Sequence, residues 1–403
     1  MYDLVLRDAT LVTSSGRLVA DVAIEGGKIV YVGPHPPKRK TRDEINAMGR
    51  FVMPGVIDTA IQVDPNGDPG IWESETRAAL SGGVTTVIVL PGGDNAVVDK
   101  ASAKKRIKRG AGRSWCHYGL WAQARSGNAS DLLEAAQKKL VQGVLAYAGG
   151  DDSRAISATA LERFANCDSV LGVQIDGEEG EVNAIGKSLL ALAASRTRPL
   201  HLMHLSTAAE VALLDPVRGN LPVTASVTPH HLFFAEETLF GLSDKMTTRP
   251  RVRPEQDRRT LWTAIKRGRL DCIASDHHPM TGKVDRGVPS SELLFPLMLS
   301  AVKFGRLSLE GLVSLCAESP ARIFGLENKG RIAAGADADI VLFTEGELAK
   351  VDTDALMSTA GWSPYADKDI APKPEIVISG GRIVARKGKI VGDEPRGGFV
   401  GEA

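Results

Sequence analysis

The chain has 403 residues, 49 of them basic and 49 acidic, enough for two ordinary domains or for one large α/β barrel with an accessory domain. Balanced charge supplies no overall field to draw it to nucleic acid or to an anionic membrane surface, and no apolar run approaches the roughly 20 residues that span a bilayer. Its four cysteines, Cys116, Cys167, Cys272 and Cys316, lie far apart without C-x-x-C spacing, and no charged stretch followed by an apolar run marks a leader. A cytoplasmic protein is expected, with each thiol acting as a small buried apolar group.

From Met1 to about Arg50, short alternating runs such as Tyr2 to Arg7 and Val22 to Glu25 are separated by glycines, the pattern of antiparallel strands and turns. Thr10 to Gly16 reads as a loop. From there apolar strand-like runs alternate with helical stretches: Thr85 to Leu90, Gly143 to Tyr147, Val170 to Ile175, Leu200 to Leu205, Val223 to Val227 and Cys272 to Ser275. Asp131 to Leu140, with Ser130 as N-cap, Arg258 to Lys266 and Leu309 to Leu315 read as helices. Strands buried on both faces and covered by helices predict a parallel sheet closed as a (β/α)8 barrel over residues 53–330. The alternating pattern returns in Asp339 to Phe343, Ile376 to Ile378 and Arg382 to Val384, so residues 1–52 and 331–403 are expected to build one small β-sandwich, with Val391 to Ala403 as a tail.

Several segments carry more than a fold class. Pro54-Gly55-Val56-Ile57-Asp58-Thr59-Ala60-Ile61-Gln62, His201-Leu202-Met203-His204-Leu205-Ser206-Thr207, Val223 to Leu232 with Thr228-Pro229-His230-His231, Asp271 to Pro279 with Ser275-Asp276-His277-His278, and Ser319 to Leu326 run through the chain in order. Together they resemble the dihydroorotase, allantoinase and dihydropyrimidinase branch of the amidohydrolase superfamily, and within it dihydroorotase most closely. The resemblance implies metal-activated hydroxide attacking a cyclic amide while an aspartate on strand eight shuttles the proton. Its metals would be held by two histidines on strand one, a carboxylated lysine or an aspartate on strand four, and histidines on strands five and six.

Fold does not carry function with it, so each position is taken separately. The two strand-one histidines correspond to Ala60 and Gln62 here. A methyl group has no lone pair, and a neutral amide is a poor ligand for a metal that prefers imidazole or thiolate. No lysine lies between Lys139 and Lys187, so Leu145 stands near the carbamate position; the aspartate version of that site aligns with Gly149, with Asp151 and Asp152 two to three residues late. On strand five Gln174 replaces histidine. His204 and Asp276 remain at a ligand and at the proton-shuttle position.

The positions that would contact substrate differ as well. Asp64 stands where dihydroorotases place a carboxylate-gripping arginine, so the charge is reversed. Gly92 replaces an asparagine after strand two, Arg249 stands at another asparagine, and Met280 replaces a histidine beyond strand eight. Arg249, Arg251 and Arg253 form either a surface for an anionic ligand or partner, or a solvated charge run. Asp64 to Asp68 lacks the ligand ladder of a calcium loop and reads as a turn. No serine elbow or phosphate loop is present, and the one cysteine adjacent to a histidine, Cys116 beside His117, faces the opposite side of a strand.

The expectation is a dihydroorotase-like pseudoenzyme without a binuclear centre and with no cofactor. By resemblance to inactive dihydroorotase-like subunits it would be a structural partner of aspartate transcarbamoylase in pyrimidine synthesis, and a homo-oligomer. The alternative is an active cyclic-amide hydrolase holding one zinc through His204 and Asp276 with His231, His277 or His278. A third reading is a protein that binds an anion in the old pocket through Arg251 and Lys283.

Overall fold

The computed structural model describes residues 1–64, 67–92, 95–149, 154–177, 179–217, 219–242, 245–279 and 287–402. The first five strands are β1 (Tyr2–Thr13), β2 (Gly16–Glu25), β3 (Lys28–Gly33), β4 (Thr41–Asn46) and β5 (Phe51–Pro54). Thr10 to Thr13 belong to β1, paired antiparallel with β2 from Thr10↔Val19 to Thr13↔Gly16, so the expected loop there shrinks to a tight turn at Ser14 and Ser15.

Past Pro54 the chain enters the barrel at Gly55. A side chain could not sit there, because a Cβ would fall 2.1 Å from Thr85 Oγ1. The barrel strands are β6 (Val56–Ile61), β7 (Val84–Val89), β8 (His117–Gln123), β9 (Gly143–Ala148), β10 (Val170–Ile175), β11 (Leu200–Met203), β12 (Val223–Val227) and β13 (Cys272–Ile273). They pair in parallel in sequence order from β6 to β13. Closure between the first and last rests on a parallel bridge Ile61↔His277 and on Gln62 N donating to His277 O at 2.8 Å.

Helices α1 (Pro69–Ser81), α2 (Lys100–Gly110), α3 (Ala129–Gln137), α4 (Ala158–Glu162), α5 (Glu179–Ala193), α6 (Ala208–Leu214), α7 (Pro229–Phe233), α8 (Glu255–Lys266), α9 (Leu294–Lys303) and α10 (Leu309–Val313) follow or lie between the strands, and α11 (Ser319–Ile323), joined to α10 by a π-helical turn at Ser314–Glu318, packs Ala321 and Ile323 onto the apolar cluster inside the barrel.

Strand β8 had no counterpart among the apolar runs. Its sequence, His-Tyr-Gly-Leu-Trp-Ala-Gln, mixes polar residues and glycine into a fully interior position. Helix α3 starts at Ala129 rather than Asp131. Asn128 precedes it, its side-chain oxygen accepting from Arg125 N at 2.8 Å instead of capping the helix. Lys139 takes a left-handed φ of 52°, which ends that helix before Leu140.

The chain then returns to the first sheet through β14 (Ile340–Phe343), beside a small pair, β15 (Ala349–Lys350) and β16 (Asp369–Ile370), and continues in β17 (Ile376–Ser379), β18 (Arg382–Arg386) and β19 (Lys389–Ile390). Both chain ends therefore share one nine-stranded sheet, with β14 antiparallel to β5. It curls over a single core in which Leu4, Leu6 and Val22 meet Ile340, Leu342, Ile376 and Ile378. From its other face Val12, Met53, Val341 and Phe343 join the core that surrounds the barrel. The expected tail is not loose: Tyr118 N donates to Gly398 O, Val400 N donates to Tyr118 O, and the Phe399 ring lies 5.7 Å from that of Tyr118. Among the described residues, no helix is long and apolar enough to cross a membrane.

Candidate active site at the barrel mouth

Side chains that alternate along parallel strands fill the barrel in layers, and the C-terminal ends of the strands carry the mouth where barrel chemistry sits. In the lower interior Ile57, Ala60, Ile88, Trp121, Leu145, Met203 and Cys272 form one fully buried apolar cluster. Trp121 donates its indole N–H to Thr59 O at 2.8 Å. It spreads over two glycines of the neighbouring strands: a Cβ would come within 2.3 Å of its ring at Gly143 and 2.7 Å at Gly172. Ala60 and Leu145, which stand at or near two of the family's ligand positions, are thus hydrocarbon packed on hydrocarbon.

The amides at the other substituted positions are engaged in packing or hydrogen bonds. Gln62 lies against Gly92, where a Cβ would fall 2.2 Å from its Nε2, so glycine at 92 and glutamine at 62 are sterically coupled. Gln174 donates through Nε2 to Arg249 O at 2.7 Å and so ties the segment after α7 across the mouth. His231 holds the same segment: its Nε2 points at the carbonyl oxygens of Pro250 and Arg251, each at 3.2 Å, while Nδ1 pairs with Thr228 Oγ1 at 2.7 Å. With both nitrogens occupied, His231 does not offer the lone pair expected of a spare ligand.

His277 is likewise taken. Its Nδ1 accepts from Ser290 N and Ser291 N at 3.0 and 3.3 Å, so the proton sits on Nε2, which donates to Glu75 Oε2 at 2.9 Å. Burial pushes the Glu75 carboxyl up, yet hydrogen bonds from His277, Thr359 and Ser358 outweigh it and hold the group at about 2. Asp58 at the foot of the same region accepts from Ser275 N and Ser291 Oγ, and burial nonetheless raises its pKa. Ser290 and Ser291 are thus structural donors.

Asp64 does not face the mouth as a repelling charge. It is fully buried in an ion pair with Arg106 and lies 3.0 Å from Arg109 Nη1, both on α2. Burial opposes ionisation on both sides of the tighter pair, raising the Asp64 carboxyl and lowering Arg106 to about 10. Gly67 N closes a turn onto Asp64 O, and Asp68 caps α1 by accepting from Gly70 N, so the described part of that aspartate-rich stretch is a turn followed by a helix cap.

His204 and Asp276 keep the residue types of the family's ligand and proton-shuttle positions. Both hold left-handed backbone, φ 56° and 50°, which costs a non-glycine residue about 1 kcal/mol. Among the described residues, neither ring nitrogen of His204 has a hydrogen-bond partner; its Nδ1 lies 3.8 Å from Asp276 Oδ1. Burial, with help from His231 and His201, lowers the imidazole to about 3, while burial and the nearby Asp58 lift Asp276 to about 8 against the pull of Arg154. Both shifts favour the uncharged forms, a neutral imidazole beside a protonated carboxyl.

Sequence reasoning passed over three participants. His230 also has both ring nitrogens unpartnered, its ring 4.5 Å from that of His231; the adjacent pair after Pro229 was the available signal. His201 pairs with Thr224 Oγ1 at 2.9 Å and approaches Cys272 Sγ at 3.8 Å, which corrects the view that Cys116 alone has a histidine near it. That thiol is fully buried and burial pushes it far up, so it is no nucleophile. Glu75, the third, gave no signal in a single sequence. Arg249 contributes its carbonyl to the mouth, and Arg253 reaches Ser206 Oγ at 3.2 Å and Asp176 at 3.7 Å. Gly149, at the end of β9, takes a left-handed φ of 79°. Met280, Lys283, Asp151 and Asp152 lie outside the described residues.

The donor set therefore does not fit a binuclear zinc centre. Two positions are apolar, two are amides, and among the described residues no group of three or more histidine, cysteine, aspartate or glutamate side chains converges to hold an ion.

The sequence matches the profile described as "Amidohydrolase family" over residues 51–384. It is 30% identical to a dihydroorotase of Pyrococcus abyssi, covering 95% of each chain, and 28% identical to a dihydroorotase of Methanothermobacter thermautotrophicus, covering 97% of this chain and 96% of the relative. An L-hydantoinase of Paenarthrobacter aurescens is 26% identical over 99% of this chain and 98% of its own. Among solved structures, the L-hydantoinase (dihydropyrimidinase) from Arthrobacter aurescens superposes with a TM-score of 0.92 at 24% identity over the full length of both chains, a likeness of fold.

Proposed function

The chain belongs to the amidohydrolase family, in its dihydroorotase-like branch, and from that premise we propose that it is a pseudoenzyme: a barrel of this family that no longer holds a binuclear metal centre. One observation carries the reading. The positions that would bring nitrogen or carboxylate donors to the metals hold Ala60, Leu145, Gln62 and Gln174, and these are packed in apolar contact, set against a glycine or bonded to a main-chain carbonyl. The family's chemistry draws its hydroxide from a cation that lowers the pKa of bound water, and these residues supply no ligands for one.

As a partner we propose aspartate transcarbamoylase, with this chain as a structural subunit in pyrimidine synthesis. The dihydroorotase names of the relatives support that setting. A cytoplasmic location accords with four free, buried thiols.

A second reading has its own support. Among the described residues His204 keeps both ring nitrogens unpartnered, with Nδ1 3.8 Å from Asp276 Oδ1, so one zinc could be drawn there, with hydrolysis of a cyclic amide such as dihydroorotate or a hydantoin. Metal analysis of protein purified without chelator separates the two. Substoichiometric zinc with no hydrolysis of either substrate class is the expected result; stoichiometric zinc, lost together with hydrolysis in His204→Ala, overturns the pseudoenzyme reading. Co-expression with a transcarbamoylase tests the partner. A larger co-eluting complex is expected, and independent elution of the two proteins removes that assignment.

A further inference from the structure

The curled sheet leaves one stretch of strand edge uncovered. Gly16 to Ala20 of β2 pair with β1 on one side, whereas β3 covers the other side of β2 only from Asp21 to Glu25. Among the described residues nothing pairs with the open side, and the segment carries Leu18 and Val19 at 47% and 68% exposure. An unpaired row of backbone groups flanked by apolar side chains is a template for another strand, and proteins usually blunt such edges with proline, lysine or brevity. The other ends of this sheet do so: β3 is followed by Pro34, Pro36 and Pro37, and β19 is the two-residue Lys389–Ile390. The Gly16–Ala20 notch has neither proline nor lysine.

We propose that this notch is a homodimer interface, closed by the same five residues of a second copy running antiparallel about a two-fold axis through Leu18. The sequence is self-complementary in that register. Leu18 meets Leu18, Arg17 lies opposite Val19, and Gly16 lies opposite Ala20, so no like charges face one another. Arg17 is already neutralised by Glu310 at 2.7 Å and rests over the Phe51 ring, so it brings no unpaired charge to the facing valine. The notch is as long as the segment that fills it, because in each copy the covering strand β3 resumes at Asp21. A contact this short makes a weak dimer that dissociates on dilution. It involves no residue of the barrel mouth and stands whether or not the mouth is catalytic.

The test uses the full chain. Sedimentation velocity over a range of concentrations is expected to show a monomer–dimer equilibrium, shifted to monomer by Leu18→Lys and by Val19→Lys, with the melting temperature unchanged at dilutions where the parent chain is itself monomeric, since both side chains face solvent there. Cross-linking supplies the second measurement. Facing Cβ atoms across a strand pair are about 4.5–5.5 Å apart, close to disulfide range, and all four native cysteines are buried. Leu18→Cys is expected to form a disulfide dimer under mild oxidation, whereas Val30→Cys on β3, 40% exposed, is not. A chain that is monomeric throughout, a dimer that survives both lysine variants, or equal cross-linking from both cysteines overturns the proposal.

Discussion

The two halves of the barrel differ in what their inner faces carry. Among the described residues, β6 to β10 and Gln62 just after β6 carry Ala60, Gln62, Trp121, Leu145 and Gln174 at and around the family's ligand positions, whereas β11 to β13 and the turns after them hold His201, His204, His230, His231, Asp276 and His277. The departure from the family's ligand residues is therefore one-sided. On the first side these positions are occupied by packed hydrocarbon and by amides set against a glycine or bonded to a main-chain carbonyl. On the second, His201, His231 and His277 make hydrogen bonds that any folded barrel could use, and among the described residues the buried rings of His204 and His230 have no such partner. A histidine retained in a sequence is thus not evidence of a metal until its ring nitrogens are accounted for.

The sharpest way to break this contrast is at Trp121. Trp121→Ala removes the side chain that fills the space over Gly143 and Gly172 and is expected to cost about 3–5 kcal/mol in denaturant unfolding; a loss below about 1 kcal/mol would mean the interior is not the packed plug described. On the other half, Glu75→Ala leaves His277 without its acceptor and frees Ser358 and Thr359, with an expected cost of about 3 kcal/mol. Equal stability of that variant and the parent chain would count against a structural role for His277.

Acid titration sharpens the comparison. Burial holds the folded-state imidazole of His204 at about 3 and those of His201, His231 and His278 at about 4, while the unfolded chain takes up these protons near the ordinary histidine value of 6.5. Between those values the unfolded state binds more protons, so stability is full above about 6.5 and falls as pH drops toward 4, by up to about 1.4 kcal/mol per pH unit for each group. Glu75, depressed to about 2, adds a further loss as pH falls below 4.5. Asp276 runs the other way: raised from 3.8 to about 8, it stabilises the fold most below its unfolded value, and that contribution is lost as pH rises to about 8. Thermal melts from pH 4 to 9 should therefore show a steep acid limb in the parent chain and a flatter alkaline limb in Asp276→Asn. An identical alkaline limb in the two proteins would mean that this carboxyl is ionised in the fold.

Smaller effects are expected at the mouth. Gln174→Ala removes the bond to Arg249 O and should cost about 1–2 kcal/mol while loosening the segment after α7, seen as faster amide exchange around residues 246–253. His230→Leu replaces a buried, unpartnered imidazole and should change stability by no more than about 1 kcal/mol at neutral pH, while reducing the acid sensitivity. Strong destabilisation at neutral pH would show that His230 has a partner in solution, an ion included.

Much of this was legible in the sequence. Local patterning carries the barrel, since alternating and continuous apolar runs report which face of a strand is buried; the substitutions at Ala60, Gln62 and Gln174 are likewise properties of residue type, because a methyl or an amide cannot become imidazole whatever surrounds it. Strand β8 escaped because its burial is set by neighbours rather than by its own polar composition. Where long side chains end was not legible either. Asp64 finds Arg106 and Arg109 from α2, Glu75 finds His277 from strand eight, and Trp121 finds the two glycines that make room for it only when distant segments meet. Residue chemistry by itself determined what the mouth lacks; the tertiary structure alone decided what the remaining groups do, because a hydrogen bond, an ion pair or a packed ring depends on distances between residues far apart in the chain.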